Sequence, residues 1–170
     1  NHARMLGLMK RYAESQALYE QTLEIKQRTF GPEHPRTLNT RHNLANTHMR
    51  QGRVEQAEGI NRDVLAIRRR VLGPKHPQTL RTRANLGRTL LRQRRYVEAE
   101  VELRATWKAQ VEQRGNSHAD TLSTLNALAR CQALADAGPN TNFVGTRNPA
   151  AEAKRIFKKT GFAPERASQP

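Results

Sequence analysis

The stretch Gly31-Pro32-Glu33-His34-Pro35-Arg36-Thr37-Leu38 returns as Gly73-Pro74-Lys75-His76-Pro77-Gln78-Thr79-Leu80. A weaker copy is Gly115-Asn116-Ser117-His118-Ala119-Asp120-Thr121-Leu122, and each copy begins 42 residues after the one before. A fixed period of this size marks a repeat architecture. Gly31 and Gly73 fall just past an apolar helical run, where a left-handed residue closes a helix at little cost. Pro35 and Pro77 suit the first position of a following helix, whose N–H has no partner anyway. That leaves His34 and His76 at the N-cap. The same eight residues thus end one helix and begin the next.

Working outward, Asn43-Leu44-Ala45 falls on Asn85-Leu86-Gly87 and, upstream, on Asn1-His2-Ala3. Each unit carries two apolar stripes with steps of three and four residues, the signature of helix rather than strand. Helix A holds Leu38, Leu44, Ala45, His48 and Met49, repeated as Leu80, Leu86, Gly87, Leu90 and Leu91. Helix B holds Val54, Ala57, Ile60, Val64, Leu65, Ile67 and Val71, and again Tyr96, Ala99, Leu103 and Trp107. Gly52 marks the turn from A to B; its counterparts Lys10 and Arg94 imply that this turn does not demand glycine. The pattern predicts an all-α chain, an α-solenoid of antiparallel helix pairs with about three and a half repeats. Its parts are a partial repeat over 1–30, repeats over 31–72 and 73–114, and a last helix A over 115–136. After them come an inserted loop over 137–147, a short capping helix over 148–161 and a disordered tail over 162–170. The chain opens inside a repeat, so it reads as an excerpt.

These residues resemble a tetratricopeptide repeat of the long, kinesin-light-chain type, a pattern shared by nephrocystin-3-like proteins. The resemblance rests on Asn43-Leu44-Ala45, Gly52-Arg53-Val54, Gln56-Ala57-Glu58 and Leu72-Gly73-Pro74-Lys75-His76-Pro77-Gln78-Thr79, and again on Asn85-Leu86-Gly87 and Glu98-Ala99-Glu100. It implies a right-handed superhelix in which helix A lines a concave face on which peptide segments lie. The residues pointing away from the Leu/Ala stripe are Asn39, His42, Asn43, Asn46 and Arg50, then Arg81, Asn85, Arg88 and Arg92, then Ser123, Asn126 and Arg130. An amide can both donate to and accept from a peptide main chain, and an Arg set favours carboxylates. The expected ligand is therefore an acidic peptide, and charge reversal at Arg88 and Arg92 is expected to weaken its binding.

Composition bounds the alternatives. The 170 residues carry 30 Lys+Arg against 15 Asp+Glu, a net charge of +15. Such a field attracts polyanions. Arg68-Arg69-Arg70, Arg92-Gln93-Arg94-Arg95 and the basic tail residues make nucleic acid the second candidate partner, held through phosphates. No nucleic-acid reading module accompanies them. No run is long enough to span a bilayer. One cysteine, Cys131, rules out an intramolecular disulfide and fits a reducing, cytoplasmic setting. His34, His76 and His118 recur in register but sit one repeat apart, on the order of 10 Å, too far to share a zinc ion. Tyr12, Tyr19, Tyr96 and Trp107 read as packing residues of helix B. The sequence carries no phosphate loop, zinc-protease motif or nucleophile–base pair. It thus calls for no enzyme activity, cofactor or metal.

Overall fold

The computed structural model describes residues 2–136. The expected insert, capping helix and tail lie outside the described residues. Within them are seven helices and no strand: α1 (His2–Leu8), α2 (Tyr12–Phe30), α3 (Pro35–Arg50), α4 (Val54–Val71), α5 (Pro77–Arg92), α6 (Tyr96–Arg114) and α7 (Ala119–Asp136). Each packs on its neighbours in sequence, and α5 also touches both α3 and α7. The helices A, which are α1, α3, α5 and α7, thus follow one another along one side of an α-solenoid. No described helix is long and apolar enough to cross a membrane.

Helix starts follow from the repeated stretch. Pro35 and Pro77 open α3 and α5. His34 accepts from the Arg36 N–H through Nδ1 at 3.2 Å, His76 from Gln78 at 3.2 Å, and His118 from Asp120 at 3.1 Å. A ring nitrogen here does the work usually given to Ser or Asp, satisfying one orphan donor of the first turn. Phe30 stacks on His34 with centroids 4.8 Å apart, and the Arg36 guanidinium lies over the same Phe30 ring.

One expectation about helix ends needs correction. Gly31 has φ 87° and ψ 165°, and Gly115 has φ 77° and ψ 173°. This is not the left-handed helical region but mirror-extended backbone, which is nearly closed to any residue with a Cβ. The A-to-B turn is where left-handed residues occur. The Arg53 N–H bonds the His48 carbonyl at 2.9 Å and the Arg95 N–H bonds that of Leu90 at 3.0 Å, the long bond of a Schellman closure. Gly52 takes the positive φ, but so do Lys10 (60°) and Arg94 (62°). The turn does demand the left-handed conformation, and those two side chains are tolerated at the expense of strain.

The core is uneven. One cluster joins Leu65, Leu86, Leu90, Leu91, Ala99, Leu103, Leu128 and Cys131, drawn from α4 to α7. Val71, expected in the stripe, is exposed because it lies on the last turn of α4. Trp107 is buried as expected, whereas Tyr12, Tyr19 and Tyr96 are only half-buried. Burial pushes the Cys131 thiol up to about 11, so it acts as a small core group. What the apolar pattern misses is threonine. Thr37, Thr40, Thr47, Thr79, Thr82, Thr89, Thr121 and Thr124 are all buried. Most return their hydroxyl to a carbonyl one turn back, as Thr89 does to Asn85 at 2.8 Å and Thr82 to Gln78 at 3.0 Å, which keeps them satisfied inside the packing.

Candidate functional site

A groove of about 680 Å³ runs along the helices A. Helix α3 contributes Asn39, His42, Asn43, Asn46 and Arg50, and α5 contributes Arg81, Asn85 and Arg88. Helix α7 adds Asp120, Ser123 and Thr124, while Arg4 enters from α1 and Gln110 from α6. The equal spacing of these positions puts them on one face of successive helices. Of the residues expected from sequence, Arg92, Asn126 and Arg130 do not line this groove and are exposed elsewhere.

Most of the lining is already committed to bonds between repeats. The Asn85 amide donates to Asn46 Oδ1 at 2.7 Å and lies 3.3 Å from His42 Nε2. Its own oxygen accepts from Arg88 Nη1 at 3.1 Å, and Arg88 Nη2 reaches Ser123 Oγ at 3.0 Å. A polar ladder therefore spans α3, α5 and α7. Asn39 Oδ1 accepts from Arg68 Nη2 at 2.7 Å. Arg50 donates to the Gly7 carbonyl at 3.0 Å and Arg92 to the Met49 carbonyl at 3.0 Å. Each of these two guanidinium groups staples its helix to a carbonyl near the end of the preceding helix A. Asn43, Arg4 and Arg81 make no side-chain hydrogen bond or ion pair among the described residues.

Burial and like charge shape the floor. His42 is 3% exposed. Its removal from water, helped by Arg81 and Arg68, drops its pKa to about 3, so the ring is neutral. Arg88 is held below its ordinary value by burial, with Asp120 acting the other way. Arg68 is fully buried. Burial first, then Arg81, push it down to about 10, so it remains a cation at neutral pH.

Arg68, though part of a basic run, is buried and not available to a phosphate. It bonds the Gln78 carbonyl at 3.1 Å, Thr82 Oγ1 at 2.6 Å and Asn39. In the same run, Arg70 pairs with Glu33. In the second run, Arg92 holds Met49, and Arg95 is shared by Glu58 at 2.8 Å and Glu98 at 2.7 Å. Helical periodicity sends adjacent arginines to different faces, so neither run forms a continuous strip. Six groove residues, Arg4, Met49, Ala84, Gln110, Asp120 and Thr124, escaped sequence reading. Arg4 shares the register of Asn46 and Arg88, a signal that was present. Gln110 lies on a helix B, where no groove residue is sought. Among the described residues, no group of three His, Cys, Asp or Glu side chains could hold a metal ion.

A profile of the tetratricopeptide repeat matches residues 1–69 and again residues 37–106. The chain belongs to the tetratricopeptide repeat family. Its solved structural neighbours are kinesin light chain-like tetratricopeptide proteins. A Podosopora anserina protein of this kind, with nearly identical TPR-like repeats, superposes with a TM-score of 0.75 at 23% identity, over 94% of this chain and 83% of that one. A point-substituted form of that protein gives 0.74 at 24% identity, over the same shares of both chains. BtubC (BKLC) from P. vanneervenii gives 0.73 at 20% identity, over 99% of this chain and 66% of that one. At these identities the likeness is one of fold. No curated protein matches the chain. Tetratricopeptide repeats generally mediate protein–protein interaction, and this one offers a polar groove along its helices A.

Proposed function

We propose that this chain is a non-enzymatic scaffold whose groove is a concave surface binding an extended, acidic peptide segment of another protein. The observation that carries the reading is the balance of the lining: Arg4, Arg50, Arg81 and Arg88 face a single carboxylate, Asp120. Guanidinium groups in a cleft with low-dielectric walls focus a positive potential and favour carboxylates. Asn43, whose amide has no described partner, is available to a ligand main chain. The single buried cysteine suits a reducing, cytoplasmic setting.

Arg81 is the residue to test, because it is exposed and bonded to nothing described, whereas Arg88 and Arg92 also hold repeats together. Fluorescence anisotropy with a labelled oligoglutamate peptide should show saturable binding near physiological salt. Arg81→Glu should weaken it by about tenfold, the effect of roughly 1.4 kcal/mol, with an unchanged melting curve. Equal binding of duplex DNA, vanishing with salt and indifferent to Arg81, would overturn the reading in favour of non-specific polyanion attraction.

A further inference from the structure

A cavity of about 170 Å³ lies in the seam of α1, α2 and α3. Its wall carries two guanidinium groups, Arg4 and Arg50, the amides of Asn43 and Asn46, and the Tyr19 phenol. No described carboxylate lines it. Arg4, Asn43, Asn46 and Arg50 also line the groove. A segment lying along the helices A can therefore turn a side chain into this cavity, and in so small a space groups on opposite walls can bond one occupant.

The polar ladder breaks at the same seam. In the following repeat the Asn85 amide donates to Asn46 Oδ1 at 2.7 Å. One 42-residue period back, the pair is Asn43 and Arg4. A guanidinium has no acceptor to offer, so the Asn43 amide loses the bond that Asn85 makes. Neither Asn43 nor Arg4 makes a side-chain hydrogen bond or ion pair among the described residues. Arg50 gives one nitrogen to the Gly7 carbonyl at 3.0 Å, and its other donors have no described partner. The Tyr19 hydroxyl has none either. Burial raises the pKa of this phenol, while Arg4 and Arg50 act the other way, so both cations lie close enough to be felt there. The wall is thus a set of donors without an acceptor among them.

Two positive charges match a dianion, and donors set on three helices match oxygens that point in three directions. A carboxylate has one charge and two oxygens in a plane. A phosphate monoester has three acceptor oxygens and a charge of about −1.5 to −2 at pH 7. We infer that this seam seats a phosphorylated serine or threonine side chain of the bound segment, held by Arg4, Arg50, Tyr19 and Asn43. The inference rests on the peptide-groove reading and sharpens it, since it names one residue chemistry at one end of the groove.

The test uses the full chain and two fluorescein-labelled oligoglutamate peptides, one with a central phosphoserine and one with glutamate in its place. The phosphopeptide should bind about tenfold more tightly, a difference of roughly 1.4 kcal/mol. Arg4→Gln should bring the two affinities together. Tyr19→Phe keeps the ring and changes no charge, and should cut their ratio about threefold, the loss of one hydrogen bond. A diffuse field also favours the phosphopeptide, but predicts a ratio indifferent to Tyr19→Phe. Equal affinities in the unsubstituted chain, or a ratio untouched by both substitutions, overturn the seat and leave the groove reading intact. Phosphopeptide binding without oligoglutamate binding overturns the acidic-peptide reading and supports the seat. Failure of both peptides overturns both. Inorganic phosphate is the control for source: binding as tight as that of the phosphopeptide assigns the cavity to a free anion and overturns the peptide residue.

Discussion

Gly31 and Arg94 show the same chain meeting two backbone requirements in opposite ways. At Gly31 the backbone is mirror-extended, and no atom lies within 4 Å of where a Cβ would stand. Gly31→Ala therefore reads backbone strain alone, and should lower unfolding stability by about 1–3 kcal/mol in urea melts. Arg94 holds φ 62° in the turn that Gly52 makes without strain. Arg94→Gly should raise stability by roughly 0.5–1 kcal/mol, the relief of the Cβ clash less the added chain entropy. Sequence showed the glycines but not their ψ, and it made the non-glycine counterparts look like tolerance when they are strain. His42 carries the pH dependence at this scale. Its folded pKa of about 3 lies below the ordinary 6.5, so the unfolded chain binds the proton more readily. Its contribution is constant above about pH 6.5 and is lost as pH falls toward 3, by about 1.4 kcal/mol per pH unit. His48 is lowered in the same direction and adds to the slope. Stability measured at pH 7.5, 5.5 and 4.5 should fall less steeply in His42→Ala, a side chain the next repeat already accepts as Ala84.

The last turns of α4 place three consecutive arginines in three different environments, and substitution should separate them. Arg68→Ala removes a buried cation, leaves a void where its side chain lay and strands Asn39 Oδ1. A loss of about 2–5 kcal/mol is expected from the cavity and the unpaired acceptor. Arg69 is exposed with no described partner, and Arg70 pairs with Glu33 at the surface. Alanine at either should change stability by less than about 1 kcal/mol. Thermal melts of the three variants provide the check, and equal effects would contradict the burial of Arg68. This run also shows where reading stops. The apolar period gave every helix, because Leu and Ala at steps of three and four have one interpretation. It also put Asn43 and Asn85 at one register, and both line the cleft along the helices A. It could not give the partners. Arg68 reads as a phosphate contact, and its bonds reach into the adjoining repeat, where local pattern carries no information. Gln110 is hidden for a related reason: it reaches the groove from a helix B.

In an array that packs only neighbour on neighbour, stability need not be uniform along the chain. The large apolar cluster is drawn from α4 to α7. At the other end, Ser15 is the buried residue of α2, against Ala57, Asn61, Val64, Leu65 and Arg68 on α4. Its hydroxyl donates to the Ala3 carbonyl at 2.7 Å, a polar tie from α2 to the short α1, whose buried apolar residue is Leu6. Native-state hydrogen exchange should accordingly grade along the molecule, with α5 and α6 most protected, α2 less so and α1 opening first. Leu103 sits fully buried at the centre of the cluster, its side chain filling the space left by Gly87. Leu103→Ala should cost about 2–5 kcal/mol. If stability is a sum over neighbouring repeats, that loss should appear as reduced protection in α5, α6 and α7, while the rates in α1 and α2 change little. A single cooperative unit would instead lower protection in all the slowly exchanging amides by the same amount. The groove draws on α3, α5 and α7 together, so the first outcome carries a further consequence. The α7 side of the groove, lined by Ser123 and Thr124, would loosen in Leu103→Ala before α3 does, and affinity for the proposed acidic peptide would fall while most of the array stays folded.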